Sequence, residues 1–259
     1  GGGYIASEFA GIMNGLGVAT TQFYRGDQIL RGFDSEACGL VADGMRARGV
    51  DLRLNTNAVS LKAEHPGICV VATDGTEAVY EQVMFAIGRR PNTDTLNMDS
   101  VSLPAGPAGE VIVDGYSQTG VPSIYAVGDV TGRANLTPVA IHEGMAFVRT
   151  VFQGMPTKPD HDLIPTAIFT QPEFGTVGLS EAAALAAGPI KVYCANFRGM
   201  RESFAGGLEK SLMKLITDAE TDRVLGCHIV AAAAGEMIQL IGVAIKMGAT
   251  KTDFDRTMA

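Results

Sequence analysis

Apolar positions Ile5, Phe9, Ile12, Met13 and Leu16 recur at three- and four-residue steps, the spacing of one helix face. They predict a helix over residues 4–16, ended by Gly17. Residues 18–24 read as a strand, so the order turn, helix, strand is the later half of a βαβ unit. A second helix is expected over 35–48, with Ser35 as N-cap, Glu36 against the positive end of the helix dipole and Gly49 as the stop. Short extended segments follow at 51–55, 59–63, 68–72, 78–80 and 82–86, and Asp74-Gly75 marks a hairpin between two of them. AIGRRPNT, residues 86–93, then interrupts the pattern with Gly88 and Pro91 and sets a domain boundary.

Residues 96–122 are loop-rich, with a strand expected at 111–113. A short apolar strand at 124–127 runs into Gly128-Asp129. Thr137 as N-cap and Pro138 at the first helical position open a helix that runs to about Phe152. GMPTKPDHD, residues 154–162, is polar and proline-bearing and reads as a linker. The last hundred residues change style. Strands are expected at 166–169, 175–178, 190–197, 212–217 and 224–229, and helices at 181–187 (capped by Ser180) and 233–247, with Asp253-Phe254-Asp255 opening another element. This is an α+β pattern, an antiparallel sheet carrying helices. Three regions follow: 1–90, 91–158 and 159–259.

Composition narrows the functional classes. Hydrophobic residues make up 46% of the 259, enough to bury a real core. Twenty basic residues against 28 acidic ones leave a net charge of −8, which argues against a nucleic-acid-binding surface. No apolar run reaches the roughly 18 residues of a spanning helix. The most apolar late stretch, 229–247, is broken by Glu236, Gln239 and Lys246, so no membrane association is expected. Cys38, Cys69, Cys194 and Cys227 form no CxxC, CxxxxC or zinc-knuckle spacing and read as buried or partly buried free thiols of a cytoplasmic protein. His65, His142, His161 and His228 do not fall at metal-ligand spacing, so no metal site is expected.

Three segments carry chemistry. Gly1, Gly3 and Ala6 fit the G-x-G-x-x-G/A dinucleotide fingerprint: a tight turn, close approach of a pyrophosphate to the backbone, and a small residue where helix meets strand. At the end of the next strand an NAD site usually carries an acidic residue, but here Arg25 and Arg31 stand in FYRGDQILRGFD. Guanidinium groups donate paired hydrogen bonds to phosphate oxygens and so suit an adenosine 2′-phosphate; Asp27 is then expected to face solvent. In IYAVGDVTGRANLTPVAIHEG, Asp129 ends a strand where it can accept from a polyol hydroxyl, and the helix start at Thr137 and Pro138 offers amides to an electron-rich ring edge.

GGGYIASEFAG, YRGDQILRGFD, FAIGRRPNT, IYAVGDVTGRANLTPVAIHEGMAF and IPTAIFTQPEFGTVGLSE occur in that order and cover nearly the whole chain. Together they resemble the class I pyridine nucleotide–disulfide oxidoreductases, most closely the branch that reduces oxidised glutathione. The resemblance implies incomplete Rossmann-like α/β FAD- and NAD(P)-binding domains followed by an α+β dimerisation domain. Residues 1–90 would be the NADPH-binding domain, 91–158 the second FAD segment and 159–259 the dimer interface. It implies a homodimeric enzyme with FAD and NADPH as cofactors, passing electrons to a redox disulfide and on to oxidised glutathione or a similar small disulfide. By position, Gly1, Gly3, Tyr4, Ile5, Ala6 and Glu8 resemble the pyrophosphate turn and helix. Tyr4 resembles the ring that covers the flavin, and Glu8 the carboxylate near the nicotinamide. Arg25 and Arg31 match the 2′-phosphate pair and separate the chain from NAD-using dihydrolipoamide dehydrogenase. Gly88 resembles part of the NADPH wall and Ala167 a backbone contact to the nicotinamide amide. Gly128, Asp129, Leu136, Thr137 and Pro138 resemble FAD contacts.

Two positions depart from the family pattern: Met145, where some members carry a glutathione-contacting arginine, and Ala231, where glycine is usual. The resemblance also implies that the CxxxxC pair, the first FAD segment and the acid–base histidine lie outside these 259 residues. No catalytic residue is therefore expected in the chain, and the chain alone is expected to be inactive. Mercuric, trypanothione or other small-disulfide reduction stays open, as does a non-catalytic nucleotide-binding and dimerisation module.

Overall fold

The structure, a computed structural model, describes residues 1–207 and 209–257, which fall into two compact units: Gly1–Ile87 with Leu163–Ala259, and Gly88–Asp162. In the first unit helix α1 (Tyr4–Gly15) leads to strand β1 (Thr21–Phe23), helix α2 (Ser35–Ala47) and strand β2 (Asp51–Arg53). β1 and β2 pair in parallel, Thr21 opposite Asp51 and Phe23 opposite Arg53. The strand expected over 18–24 shortens to three residues because its ladder with β2 is three residues long. α2 buries Ala37, Cys38, Val41, Ala42 and Met45, one face at helical spacing. Its N-cap is Asp34 and not Ser35. The Asp34 carboxylate accepts from the Ala37 amide, and Ser35 becomes the first helical residue.

Strands β3 (Ala58–Glu64), β4 (Gly67–Ala72) and β5 (Glu77–Tyr80) form an antiparallel meander, with Asp74-Gly75 in the turn between β4 and β5. The strand expected at 82–86 does not form, since that stretch enters no strand ladder among the described residues.

Beyond Leu163, five antiparallel strands stand in the order β6 (Thr166–Ile168), β7 (Phe174–Gly178), β10 (Val224–Val230), β9 (Ser211–Asp218), β8 (Ile190–Phe197). Helix α4 (Glu181–Ala187) is capped by Ser180 as expected, its hydroxyl accepting from Ala183 N. Helix α6 (Ala234–Lys246) lies on the sheet, with Ile238 and Ile245 packed among Val177, Cys227 and Ile229. Helix α7 (Lys251–Arg256) opens with a capping box between Thr250 and Asp253. A six-residue helix, α5 (Met200–Ala205), has no counterpart in the sequence reading; it is too short for a periodic pattern and buries none of its residues. Ala10, Ile29, Val41 and Met45 pack with Ile168, Phe174, Leu212 and Val230, so the first 87 residues and this sheet share one hydrophobic core.

The second unit is largely loops around helix α3 (Thr137–Phe152). The strands expected at 111–113 and 124–127 reduce to single bridges, Ala105 with Val111 and Gln118 with Tyr125, and Gly128–Thr131 is a short 3-10 turn. The N-cap of α3 is Leu136, extended at φ −129°, whose carbonyl accepts from Ala140 N. Thr137 and Pro138 therefore stand one position deeper in the helix than expected, and the cap has no side-chain hydrogen bond.

Candidate functional site

Backbone and side-chain hydrogen bonds join the glycine turn to the loop that follows β1. The Gly1 amino group donates to Phe23 O at 2.9 Å, and Gln22 Nε2 donates to Gly1 O at 3.0 Å and to Ser7 Oγ at 3.2 Å. Leu30 N donates to Gly2 O at 2.7 Å. Ile29 and Leu30 are fully buried, which pins the loop and places Arg31 one residue from a direct bond to the turn. Arg25 and Arg31 are exposed and make no ion pair or side-chain hydrogen bond among the described residues, and Asp27 is exposed beside them. Two cations without a carboxylate partner are what a dianionic ligand group requires.

The three glycines differ in what holds them. A Cβ on Gly1 would stand 2.0 Å from Ala86 O, and one on Gly2 would stand 2.4 Å from the Tyr24 ring, so both are required by the protein's own packing. A Cβ on Gly3 would meet nothing within 4 Å. Gly3 is the N-cap of α1 with no side-chain cap, and an uncapped helix N-terminus beside open space is an arrangement that receives phosphate. Ala6 is buried, Tyr4 and Ile5 are half-buried, and Tyr4 packs against the core. Glu8 Oε1 accepts from Phe169 N at 2.8 Å, immediately after Ala167 and Ile168 of β6, which brings α1 and that strand together.

Gly3→Ala is expected to leave stability within about 1 kcal/mol, because φ −79° and ψ 174° suit any residue at an N-cap. The added methyl group is expected to weaken dinucleotide binding about tenfold or more by filling the open space beside the helix start. Gly2→Ala is expected to do the reverse and lower stability by about 1–3 kcal/mol. Thermal unfolding and dinucleotide titration of the two variants check the contrast.

In the second unit Asp129 is exposed, and its Oδ2 stands 3.0 Å from Arg89 Nη1. The same guanidinium donates through Nη2 to Asn135 O at 3.1 Å, tying Asp129 to the segment that enters α3. Gly128 adopts φ +73°, a conformation that disfavours a side chain, and Thr131 Oγ1 donates to its carbonyl at 2.8 Å. Leu136 is half-buried, and Thr137 and Pro138 are exposed at the helix start. Gly88 has φ +139° and open space where a Cβ would be. Glu143 is buried and receives Gly128 N at 2.6 Å, Arg133 at 2.9 Å and His161 Nε2 at 2.7 Å. The sequence reading picked out neither Arg89 nor Glu143. The repeated arginine in AIGRRPN and the acidic residue in AIHEG were the available signals, and neither has a periodicity of its own.

A further cluster lies in the first unit, at the start of α2. Lys214, 1% exposed, reaches Asp34 at 3.1 Å, Glu36 at 3.1 Å and Glu181 at 2.6 Å. Three carboxylates hold its ammonium well above the ordinary lysine range, against the burial that lowers it. Burial would raise the Asp34 carboxyl, but the Glu181 amide, His228 and Lys214 outweigh it and hold the group below its ordinary value. Burial holds His228 below its ordinary value, against the neighbouring Asp34 carboxylate that raises it. Its Nε2 donates to Leu179 O at 3.0 Å and its Nδ1 accepts from the Thr176 hydroxyl at 2.8 Å.

The cysteines are unpaired. Burial pushes the Cys38 and Cys227 thiols up to about 12, hydrogen bonding to Glu77 raises Cys69, and burial with Glu36 raises Cys194. None is poised as a thiolate. Cys194 is exposed, not partly buried as expected, because it lies on the outermost strand of the sheet. Among the described residues no helix is long and apolar enough to cross a membrane, and no group of His, Cys, Asp and Glu could hold a metal ion.

The pyridine nucleotide-disulphide oxidoreductase profile matches residues 1–144, and the profile of that family's dimerisation domain matches residues 164–259; the chain belongs to this family. FAD and NADPH are the cofactors of the chain's branch of that family. The open turn at Gly3 and the two unpaired arginines fit the second of these. Across its whole length the chain is 48% identical to the glutathione reductase of Burkholderia cepacia and 47% identical to the chloroplastic/mitochondrial glutathione reductase of Pisum sativum, covering 58% and 47% of those proteins. It is 42% identical to the trypanothione reductase of Leishmania donovani, covering 54% of it. The chain thus spans about half the length of the curated relatives it matches.

Proposed function

We propose that this chain supplies the NADPH-binding region, the second FAD segment and the dimer interface of a homodimeric flavoprotein that reduces oxidised glutathione in the cytoplasm. The observation that carries the reading is the pair of exposed, unpartnered guanidinium groups of Arg25 and Arg31 on a loop bonded to an open glycine turn. Arg25 and Arg31 bind the 2′-phosphate, and the amides after Gly3, with Tyr4, Ile5 and Ala6 behind them, take the pyrophosphate. Glu8 and Ala167 serve the nicotinamide amide. Asp129 beside Gly128 accepts from the ribityl chain, and Leu136, Thr137 and Pro138 face the flavin. The domain assignment is 1–90, 91–158 and 159–259. A bound FAD would supply the two-electron chemistry that links NADPH to a disulfide.

Trypanothione disulfide is the second reading, favoured by the 42% identity to the Leishmania donovani protein. Assay of the complete flavoprotein with each disulfide decides between them: glutathione reduction is expected, and exclusive use of trypanothione would overturn the substrate assignment. The 259-residue chain by itself, given FAD and NADPH, is expected to reduce no glutathione, because none of its four thiols is paired or activated. Turnover by the chain alone would show that the redox groups have been misplaced.

A further inference from the structure

We propose that Glu143 is the positioning residue of the flavin segment, setting Asp129 and the start of α3 in one geometry; this rests on the reading of Asp129 as a ribityl ligand. The Glu143 side chain is 1% exposed and six residues into α3 from Thr137, so it cannot itself reach a ligand in solvent. Its Oε2 accepts from the Gly128 amide at 2.6 Å, the residue immediately before Asp129. Gly128 is buried and at positive φ, and a Cβ there would press on the Ala140 Cβ at 3.1 Å. The turn therefore lies against α3 with its amide directed at one carboxylate oxygen. Oε1 takes the other two donors, Arg133 Nη2 at 2.9 Å and His161 Nε2 at 2.7 Å. Arg133 also reaches Thr131 Oγ1 at 3.1 Å and Ser117 Oγ at 3.2 Å. One buried carboxylate thus gathers the 3-10 turn at Gly128, the loop before α3 and the segment after it, while Arg89 holds Asp129 from the exposed side.

The arrangement separates two tasks. Asp129 would hold the ribityl hydroxyls, whereas Glu143 would act on Asp129 through the Gly128 backbone. Glu143→Asp keeps the charge facing Arg133 and His161 but withdraws the carboxylate by one methylene from Gly128 N. Glu143→Gln keeps the length and removes the charge.

The test is FAD titration into the apo form of the complete flavoprotein, with flavin fluorescence quenching and visible circular dichroism as readouts and thermal unfolding of the apoprotein as the stability control. Glu143→Asp is expected to weaken FAD on the order of tenfold to a hundredfold and to alter the flavin dichroism. Arg133→Met, which leaves the Gly128 contact in place, is expected to change FAD affinity less than threefold. Should Glu143→Gln fail to fold, the comparison of Glu143→Asp with Arg133→Met still decides. Wild-type FAD affinity and dichroism in Glu143→Asp would overturn the proposal. Asp129→Asn separates the two readings: if it leaves FAD binding unchanged, the flavin site itself is misassigned; if it weakens FAD while Glu143→Asp does not, only the positioning role fails.

Discussion

Replacing Arg25 and Arg31 together by alanine is expected to weaken NADPH on the order of a hundredfold or more and to leave NADH within about twofold. Each guanidinium–phosphate contact contributes about 1.5–3 kcal/mol, and every 1.4 kcal/mol is about tenfold in affinity. NADH lacks the 2′-phosphate, so it loses nothing that these side chains supply. The fold should tolerate the change, because both residues are exposed and neither holds a partner among the described residues. The loop's position depends instead on Ile29, Leu30 and the Leu30–Gly2 bond, which the substitutions leave intact. Steady-state KM values for both cofactors, with direct binding titrations, check the selectivity. Equal losses for the two cofactors would remove the 2′-phosphate assignment.

Lys214→Met should have its effect on stability, at about 3–5 kcal/mol, the scale for breaking one side of a buried ion pair. The substitution strands three carboxylates. Glu36 and Glu181 are 43% and 46% exposed and can rehydrate, but Asp34 is 1% exposed and cannot. Asp34 also caps α2 and receives Glu181 N at 3.1 Å, so the damage falls where the first 87 residues meet the five-stranded sheet. A loss of that size is a large part of the about 5–15 kcal/mol that holds a domain together. Lys214→Met with Asp34→Asn should recover part of it, since Asn still caps a helix and leaves no unpaired carboxylate buried there.

The pH dependence has a definite sign. Lys214 is raised on folding, so its contribution is complete below its ordinary value of 10.5 and is lost as pH rises beyond it. Asp34 is lowered, so its contribution is complete above its ordinary value of 3.8 and is lost as pH falls further. His228 is lowered as well, and stability therefore declines as acid drops below its ordinary 6.5 and protonation is forced on a buried ring. Denaturant unfolding across pH is expected to show loss on both sides, with the alkaline limb flattened in Lys214→Met.

The sequence carried the elements whose signals are local. The strand over 190–197 forms over those residues, and the Ser180 cap and the Asp74-Gly75 turn follow from side-chain chemistry within four residues. Adjacent Asp34 and Ser35 are both good caps, and the choice between them came from Lys214 and the Glu181 amide far along the chain. The stretch 82–86 has strand composition, but a strand also needs a partner to bond to, which composition does not reveal. Within the candidate sites the glycine turn and the arginine loop were visible as motifs, whereas their connection through Leu30 was not. Glu143 and His161 are eighteen residues apart in the chain and meet only in the fold. Lys214 lies in the strand expected over 212–217, and only the fold brings the three carboxylates at 34, 36 and 181 to it.

The most direct test of the central claim is anaerobic mixing of the complete FAD-loaded protein with several equivalents of NADPH or NADH, more than the redox disulfide can take up, while the oxidised-flavin absorbance is followed. NADPH is expected to bleach the flavin promptly and NADH to lag far behind at the same concentration. Equal bleaching by the two, or none by NADPH, would contradict the account.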